Sequence, residues 1–281
     1  ETAVRLLEWV GSRPGVSQAE IAGQLRRRLE VVDRIDLVAA SQDPPAVLDA
    51  FRSFLGGTEP GDDREGERED VATLRLTDGM VARLRCVRPD GFVAAMLWET
   101  GSSEHVTRLA EIASDRGGRL DADGLTLAGR RVRLQRESSV YERLGLQYVP
   151  PEMREGLDEL ELAARQAIPE LVTTDDLRGT FHCHTTYSDG RATIADLVAA
   201  AREKGWSYLG LGDHSRSAAY ARGLAIETVR RQHLEVDGVN RRLGASDRPF
   251  RVFKGIESDI LADGRLDYPD DVLAEFDYVV G

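Results

Sequence analysis

The chain has 281 residues, 41 % of them hydrophobic and 31 % charged, the balance of an ordinary soluble globular protein with room for two cores. A net charge of −12 argues against broad nonspecific affinity for nucleic acid, although residues 59–70 concentrate seven acids against two arginines and read as a solvated loop. No apolar run approaches the ~20 residues that span a bilayer, no signal-peptide pattern opens the chain, and Cys86 and Cys183 supply no disulfide framework, so a reducing cytoplasm is expected.

In chain order, residues 6–10 read as a short helix broken at Pro14-Gly15. Residues 16–23 and 31–39 read as strands, 45–54 as a helix, and 71–76 with 80–87 as a strand pair. Helices are expected over 91–98 and 104–113, with His105 on the surface in the first turn of the latter. Thr100-Gly101-Ser102, just ahead of that helix, fits either a phosphate held by N-terminal amides or a plain N-cap. Arg130, Arg131, Arg133 and Arg136 alternate along a strand-like stretch, either as an exposed face or as a nucleic-acid groove. Residues 144–156 read as a hinge stiffened by Pro150-Pro151, and 157–168 as an amphipathic linker helix. Only Lys204 and Lys254 are lysines, so the abundant arginine reflects base composition as readily as binding.

The most informative stretch runs from Phe181 to Gly190. His182 and His184 sit two apart, which on a strand over 179–184 places both imidazoles on one face, and Asp189 follows at the strand's end. Cys183, between them, is expected to point away as a small buried hydrophobe. Downstream, Gly212-Asp213-His214 and Gly255-Ile256-Glu257 each end a short apolar run, residues 208–211 and 250–253, while 194–204 and 226–243 read as helices. Strand, helix, strand, helix, with a metal-binding residue at each strand's C-terminal end, is how an α/β barrel builds a multinuclear metal site. His233 reads as structural, and Asp259, Asp263, Asp267 and Asp270 as turn residues.

His-x-His-x4-Asp-Gly, then Gly-Asp-His-Ser, then Gly-Ile-Glu resembles the opening half of a PHP (polymerase and histidinol phosphatase) domain. With Leu144 to Gly156, Asp176 to Gly179 and Asp259 to Asp270, the chain resembles bacterial X-family DNA polymerases that carry a C-terminal PHP domain. The fold implied is α/β and α+β: a nucleotidyltransferase-like palm (residues 1–88), a thumb (89–150), a linker helix (151–174) and an incomplete PHP (β/α) barrel (175–281). The resemblance also implies an interior piece of a longer protein, ending before the family's later metal ligands.

That resemblance makes His182, His184 and Glu257 ligands of one divalent metal, most readily Mn²⁺, with Zn²⁺, Fe²⁺ or Mg²⁺ as other candidates. Asp189 and His214 would help hold a second ion, Glu257 would bridge the two, and Asp213 would orient His214. In the first half, the family's palm carboxylates fall on Arg34, Asp36 and Arg83, so one Asp remains. Two guanidiniums are then placed to neutralise it without Mg²⁺. Asp33 lies three residues from Asp36 and leaves a regular strand on the opposite face, unless a bulge repositions it. Arg26 and Arg27 occupy the family's phosphate-contact position or line a solvated turn, and Arg216 is a phosphate contact or a solvent-exposed residue.

The implied function is metal-dependent trimming of DNA 3′ ends, by 3′-5′ exonuclease or 3′-phosphatase chemistry on gapped DNA in the bacterial cytoplasm, nucleoid-associated, with nucleotidyl transfer lost. Three alternatives stand beside it: a working gap-filling polymerase, a small-molecule phosphoesterase of the histidinol-phosphatase type, and a non-catalytic DNA-binding scaffold.

Overall fold

The computed structural model describes residues 1–54, 57–58 and 68–281, so most of the expected acidic loop, residues 59–67, lies outside the described residues. The backbone divides into two compact units, Glu1–Glu170 and Leu171–Gly281.

In the first unit, β1 (Val16–Ile21), β2 (Arg34–Ser41), β3 (Gly57–Thr58), β4 (Val71–Leu76) and β5 (Val81–Val87) form one mixed sheet in the order β1-β2-β5-β4-β3. Only β2 and β5 are parallel, and their register sets Asp36 opposite Arg83. From Ile35 onward β2 is buried on both faces, and its period-two alternation sorts its residues. Ile35, Leu37 and Ala39 join a core with Leu6 and Val10 of α1 (Thr2–Gly11). A short α2 (Gly23–Arg26) follows β1, and α3 (Pro44–Arg52) adds Val47, Leu48 and Phe51 to the same core. Val38 and Ala40 instead meet Phe92, Ala95 and Met96 of α4 (Phe92–Thr100). Asp36 shares that second face. The strand begins at Arg34, not at residue 31, because Gln24 pins Asp33: its amide donates to the Asp33 carboxylate (3.0 Å) and its carbonyl accepts from the Asp33 N–H (2.8 Å).

A second core in this unit gathers Leu97 of α4 and Leu109 and Ala113 of α5 (Ser103–Asp115). The antiparallel β6 (Gly118–Asp121), β7 (Gly124–Leu127) and β8 (Arg130–Arg131) contribute Leu120 and Leu125. Residues 144–156, expected as a hinge, place Leu144, Leu146 and Val149 in this core, after α6 (Ser138–Arg143) has supplied Val140 and Tyr141. The expected linker helix is confined to α7 (Glu159–Ala164), where Leu160 and Ala163 pack inward. Gln166, at φ +58°, ends it.

The second unit contains β9 (Gly179–Cys183), β10 (Tyr208–Leu211), β11 (Asp213–His214), β12 (Arg251–Phe253), β13 (Gly255–Glu257) and β14 (Tyr278–Val280). Every pairing is parallel: β10 lies between β9 and β12, and β13 between β11 and β14. Since β10 runs into β11 across Gly212 and β12 into β13 across Lys254, the four passes of chain neighbour one another in sequence order. The expected βα alternation is present in α8 (Ile194–Glu203) and α9 (Ile226–Gly244), whose Ile194, Val198, Val236 and Val239 cover Leu209, Leu211 and Val252. A capping box between Thr193 and Asp196 starts α8, and α10 (Asp270–Leu273) precedes β14. Among the described residues these strands form two three-stranded sheets and no closed barrel.

Candidate metal centre

The C-terminal ends of β9, β11 and β13 deliver His184, His214 and Glu257 to one place. Two donors on the same ion, with bonds near 2.1 Å, lie no more than about 4 Å apart. Glu257 Oε2 lies 3.3 Å from His182 Nε2, 3.4 Å from His184 Nε2 and 3.0 Å from His214 Nδ1. His214 Nδ1 is buried without a hydrogen-bond partner, because the Glu257 oxygen meets the distance but not the direction a hydrogen bond needs. The donor atoms of His182, His184 and Glu257 lie within one ion's reach of one another, and so do those of His184, Asp189 and His214, with the orphaned His214 nitrogen beside them; imidazoles with a carboxylate are the donors a divalent first-row cation takes. The residues fit the group.

His182 and His184 do face the same way, with rings stacked 5.2 Å apart at 24°, but not through a regular strand. The register against β10 slips between Thr180 and Cys183, and His182 adopts φ +62°. A left-handed non-glycine residue carries strain, which here is stored at a site residue. Gly212 makes the conformation possible: a Cβ there would sit 2.4 Å from His182 Cδ2 and 2.8 Å from its Cα. Gly190 has the same relation to the His184 carbonyl, at 2.4 Å.

Asp189 Oδ1 accepts from His184 Nδ1 at 2.8 Å, which leaves the Nε2 lone pair directed toward Glu257. That hydrogen bond holds the Asp189 carboxyl below its usual range. Asp189 Oδ2 also lies 3.7 Å from His214 Nε2, so His184, Asp189 and His214 form a second donor group that shares His184 with the first. Glu257, expected as the bridge, reaches the three imidazoles; the residue common to both donor groups is His184.

The expectation that Asp213 orients His214 is corrected. Asp213 is fully buried and accepts from Thr185 N (2.8 Å), Thr185 Oγ1 (2.9 Å), Ser188 Oγ (2.5 Å) and Gln232 Nε2 (2.7 Å). On a β-strand its side chain leaves the opposite face from that of its neighbour His214, so it pins the Thr185–Ser188 turn that leads to Asp189. Cys183 is half-buried against the β9–β10 core, as expected, and burial pushes its thiol up. His233 is buried edge-on to Phe276, a structural residue as expected. Arg216 donates from Nε to Asp267 (3.2 Å), and Asp267 is itself buried and fixed by the Ser217 N–H (2.6 Å).

In the first unit Asp36 is 3 % exposed, with Arg34 Nε at 2.9 and 3.0 Å from its two oxygens and Arg83 Nη1 at 3.5 Å. Burial pushes its carboxyl above the usual range, while Arg34 and Arg83 pull it back down. Glu99 of α4, which no motif signalled, completes the cluster by pairing with Arg83 and, at 3.3 Å, with the buried Arg85. Gly23, at φ +60°, leaves room for Asp36, whose Oδ2 would lie 2.2 Å from an added Cβ.

Arg26 pairs in a fork with Glu137 (2.9 and 2.6 Å) and reaches Thr100 Oγ1 (2.8 Å); Arg27 pairs with Glu155 (2.6 Å) and the Thr100 carbonyl (2.8 Å). Both guanidiniums tie the sheet to the second core. Ser102 caps α5 by accepting from His105 N (3.1 Å), and Gly101 must stay small because an added Cβ would meet Val106 at 2.8 Å. Arg130, Arg131, Arg133 and Arg136 are exposed. His105 is corrected: it is wholly buried, between Glu159 (2.6 Å) and the Tyr141 hydroxyl (2.9 Å), since the turn at residues 156–159 folds back over it.

Residues 95–155, which supply most of this second core, match the family described as DNA polymerase beta thumb. Over 267 residues the chain is 33 % identical to the DNA polymerase/3′-5′ exonuclease PolX of Bacillus subtilis (strain 168), covering 92 % of this chain and 44 % of that protein. The chain is a relative of the bacterial X-family DNA polymerases. It spans less than half the length of that relative, and the second unit's metal-ligand motifs lie within the stretch that aligns. Within this family setting, the carboxylates and arginines that hold the first unit together were legible only in part: Glu137, Glu155 and Glu99 carry no motif, and their pairing follows from the fold.

Proposed function

We propose that the second unit is a divalent-metal phosphoesterase acting on DNA 3′ ends, and that the first unit grips DNA without transferring nucleotides. The observation that carries this reading is the convergence of three imidazole nitrogens on one carboxylate oxygen of Glu257, within 3.0–3.4 Å. A relative named as a polymerase and 3′-5′ exonuclease supports DNA as the substrate class. On this reading β9 to β14 are strands of a PHP-type domain, and the protein works in the bacterial cytoplasm on gapped DNA.

His182, His184 and Glu257 would hold one ion, most readily Mn²⁺, and Asp189 and His214, with His184, would help hold a second. Once bound, they supply charge neutralisation for a phosphoryl oxygen and make hydroxide available near neutral pH. Asp189 keeps the proton of His184 on Nδ1, so that Nε2 stays a donor. Asp213 holds the Thr185–Ser188 turn that positions Asp189, and Gly212 gives His182 its place. In the first unit, Arg34 and Arg83 supply to Asp36 the positive charge that a metal ion would otherwise bring, and Gln24 binds the Asp33 carboxylate.

Mn²⁺ binding followed by electron paramagnetic resonance tests this centre directly. His184→Ala and Glu257→Gln are expected to weaken binding at least about ten-fold and to stop shortening of a 3′-labelled DNA strand. Unchanged binding and trimming in both variants would refute the assignment.

A further inference from the structure

The loop that follows His214 is tied down by backbone hydrogen bonds, yet it holds an aromatic ring out into solvent. Ser215 bridges Leu224, Leu224 N donates to the His214 carbonyl (2.9 Å), and Gly223 N donates to the Ala218 carbonyl (3.0 Å). Ala218, Ala221 and Leu224 are buried beneath the loop, and the Tyr268 hydroxyl donates to the Leu224 carbonyl. The turn Ala219–Ala221 ends at Arg222 with φ +60°, and a Cβ at Gly223 would fall 1.8 Å from the Ser215 carbonyl oxygen, so the chain here has little freedom.

At the tip of this turn Tyr220 is 83 % exposed, and its ring stands edge-on to His214 with centroids 5.7 Å apart at 64°. Large aromatic rings ordinarily bury their faces. This one is held open beside a donor residue of the metal centre, on a loop that also carries the exposed Arg216 and Arg222. An open aromatic face on a loop that also carries exposed arginines is suited to single-stranded nucleic acid bound without reading its sequence, the ring stacking on a base and guanidiniums meeting phosphates.

We propose that Tyr220 is a stacking platform for the terminal base of a single-stranded DNA end whose phosphodiester enters the centre formed by His182, His184, His214 and Glu257. The inference rests on the phosphoesterase reading and adds a substrate class to it: strand ends that carry a base are favoured over abasic ends and over small phosphate esters. Tyr220 positions the end; it takes no part in bond breaking.

A short single strand with 2-aminopurine at its 3′ terminus, titrated in EDTA so that no hydrolysis runs, reads the contact by fluorescence. The protein and Tyr220→Phe are expected to quench the probe, whereas Tyr220→Ala leaves it bright and weakens binding about ten-fold. A probe near the 5′ end is unaffected in all three. Equal quenching by Tyr220→Ala and the unaltered protein, or no quenching by either, overturns the platform. With Mn²⁺, the unaltered protein is expected to trim a base-bearing end about ten-fold faster than an end with an abasic terminal sugar, and Tyr220→Ala to lose that preference. If DNA ends are trimmed but Tyr220→Ala keeps the preference, the platform alone fails. If no end is trimmed, the phosphoesterase reading fails while the fluorescence still decides the stacking.

Discussion

His105 shows how one buried side chain can tie stability to pH. Its Nδ1 faces Glu159, which also accepts from Gly156 N (2.9 Å), and its Nε2 faces the Tyr141 hydroxyl, whose proton is retained because burial raises its pKa. The consistent tautomer is neutral, with Nδ1–H donating to Glu159 and Nε2 accepting from Tyr141. Burial lowers the His105 pKa below that of a free imidazole, near 6.5. The unfolded chain therefore binds the proton more readily, and stability rises with pH across the window below about 6.5 and falls as the solution is acidified through it. Glu159 acts in the same direction: burial alone would raise it, but the bond from His105 holds it below its ordinary range. We expect the thermal midpoint of the first unit, followed through Trp9 and Trp98 in a Trp206→Phe background, to fall between pH 7 and pH 5. In His105→Asn, whose amide can still donate to Glu159, the fall is expected to be shallower. A pH dependence as steep as that of the unaltered protein would remove His105 from this role. Sequence alone placed this histidine on the surface, because a lone His after an N-cap carries no sign of the turn that covers it.

Among the elements, β9 departs most instructively from a sequence pattern. The two-residue spacing of His182 and His184 was legible, and it pointed to two side chains that the structure brings together. The regular strand assumed for it did not form, because the slip against β10 and the left-handed His182 bring the rings together instead. Gly212, one strand away, is the partner of that distortion. Gly212→Ala is expected to displace His182 and weaken Mn²⁺ binding about ten-fold while the unit stays folded, as titration calorimetry with circular dichroism would show; full affinity would mean that His182 is not a ligand. Asp213 was misassigned for a related reason. Adjacency to a ligand in sequence suggested contact, but adjacent strand residues face opposite ways. In β2, by contrast, the spacing of Arg34 and Asp36 and the parallel register of Asp36 with Arg83 placed both arginines where the sequence reading put them. Glu99 stayed hidden because it arrives from α4, and nothing local in the chain marks it.

At the scale of the molecule, the carboxylates at the candidate sites of the two units meet different partners. In the first, carboxylates are matched by arginine: Asp36 by Arg34 and Arg83, Glu137 by Arg26 and the buried Arg154, and Glu155 by Arg27. Burial alone would raise Glu137, and its two guanidiniums hold it below the ordinary carboxylate range instead. Each of these carboxylates is neutralised by guanidinium groups. In the second unit, Glu257 instead meets three imidazoles, side chains of a type that can ligate a divalent cation. The mixed architecture and the relation to polymerases were readable from motifs spread along the chain. The extent of the first compact unit was not, since apolar residues at 144, 146, 149, 160 and 163 look like a hinge and linker until the core they bury against is known.

The most direct measurement is the fate of a labelled primer 3′ end in gapped DNA, incubated with the protein, Mn²⁺ or Mg²⁺, and all four dNTPs. Shortening in Mn²⁺ that is absent from His184→Ala, with no extension in either metal, is the predicted result. Template-directed extension of the primer would contradict the account, because it would show that Asp36 still holds catalytic metal despite Arg34 and Arg83.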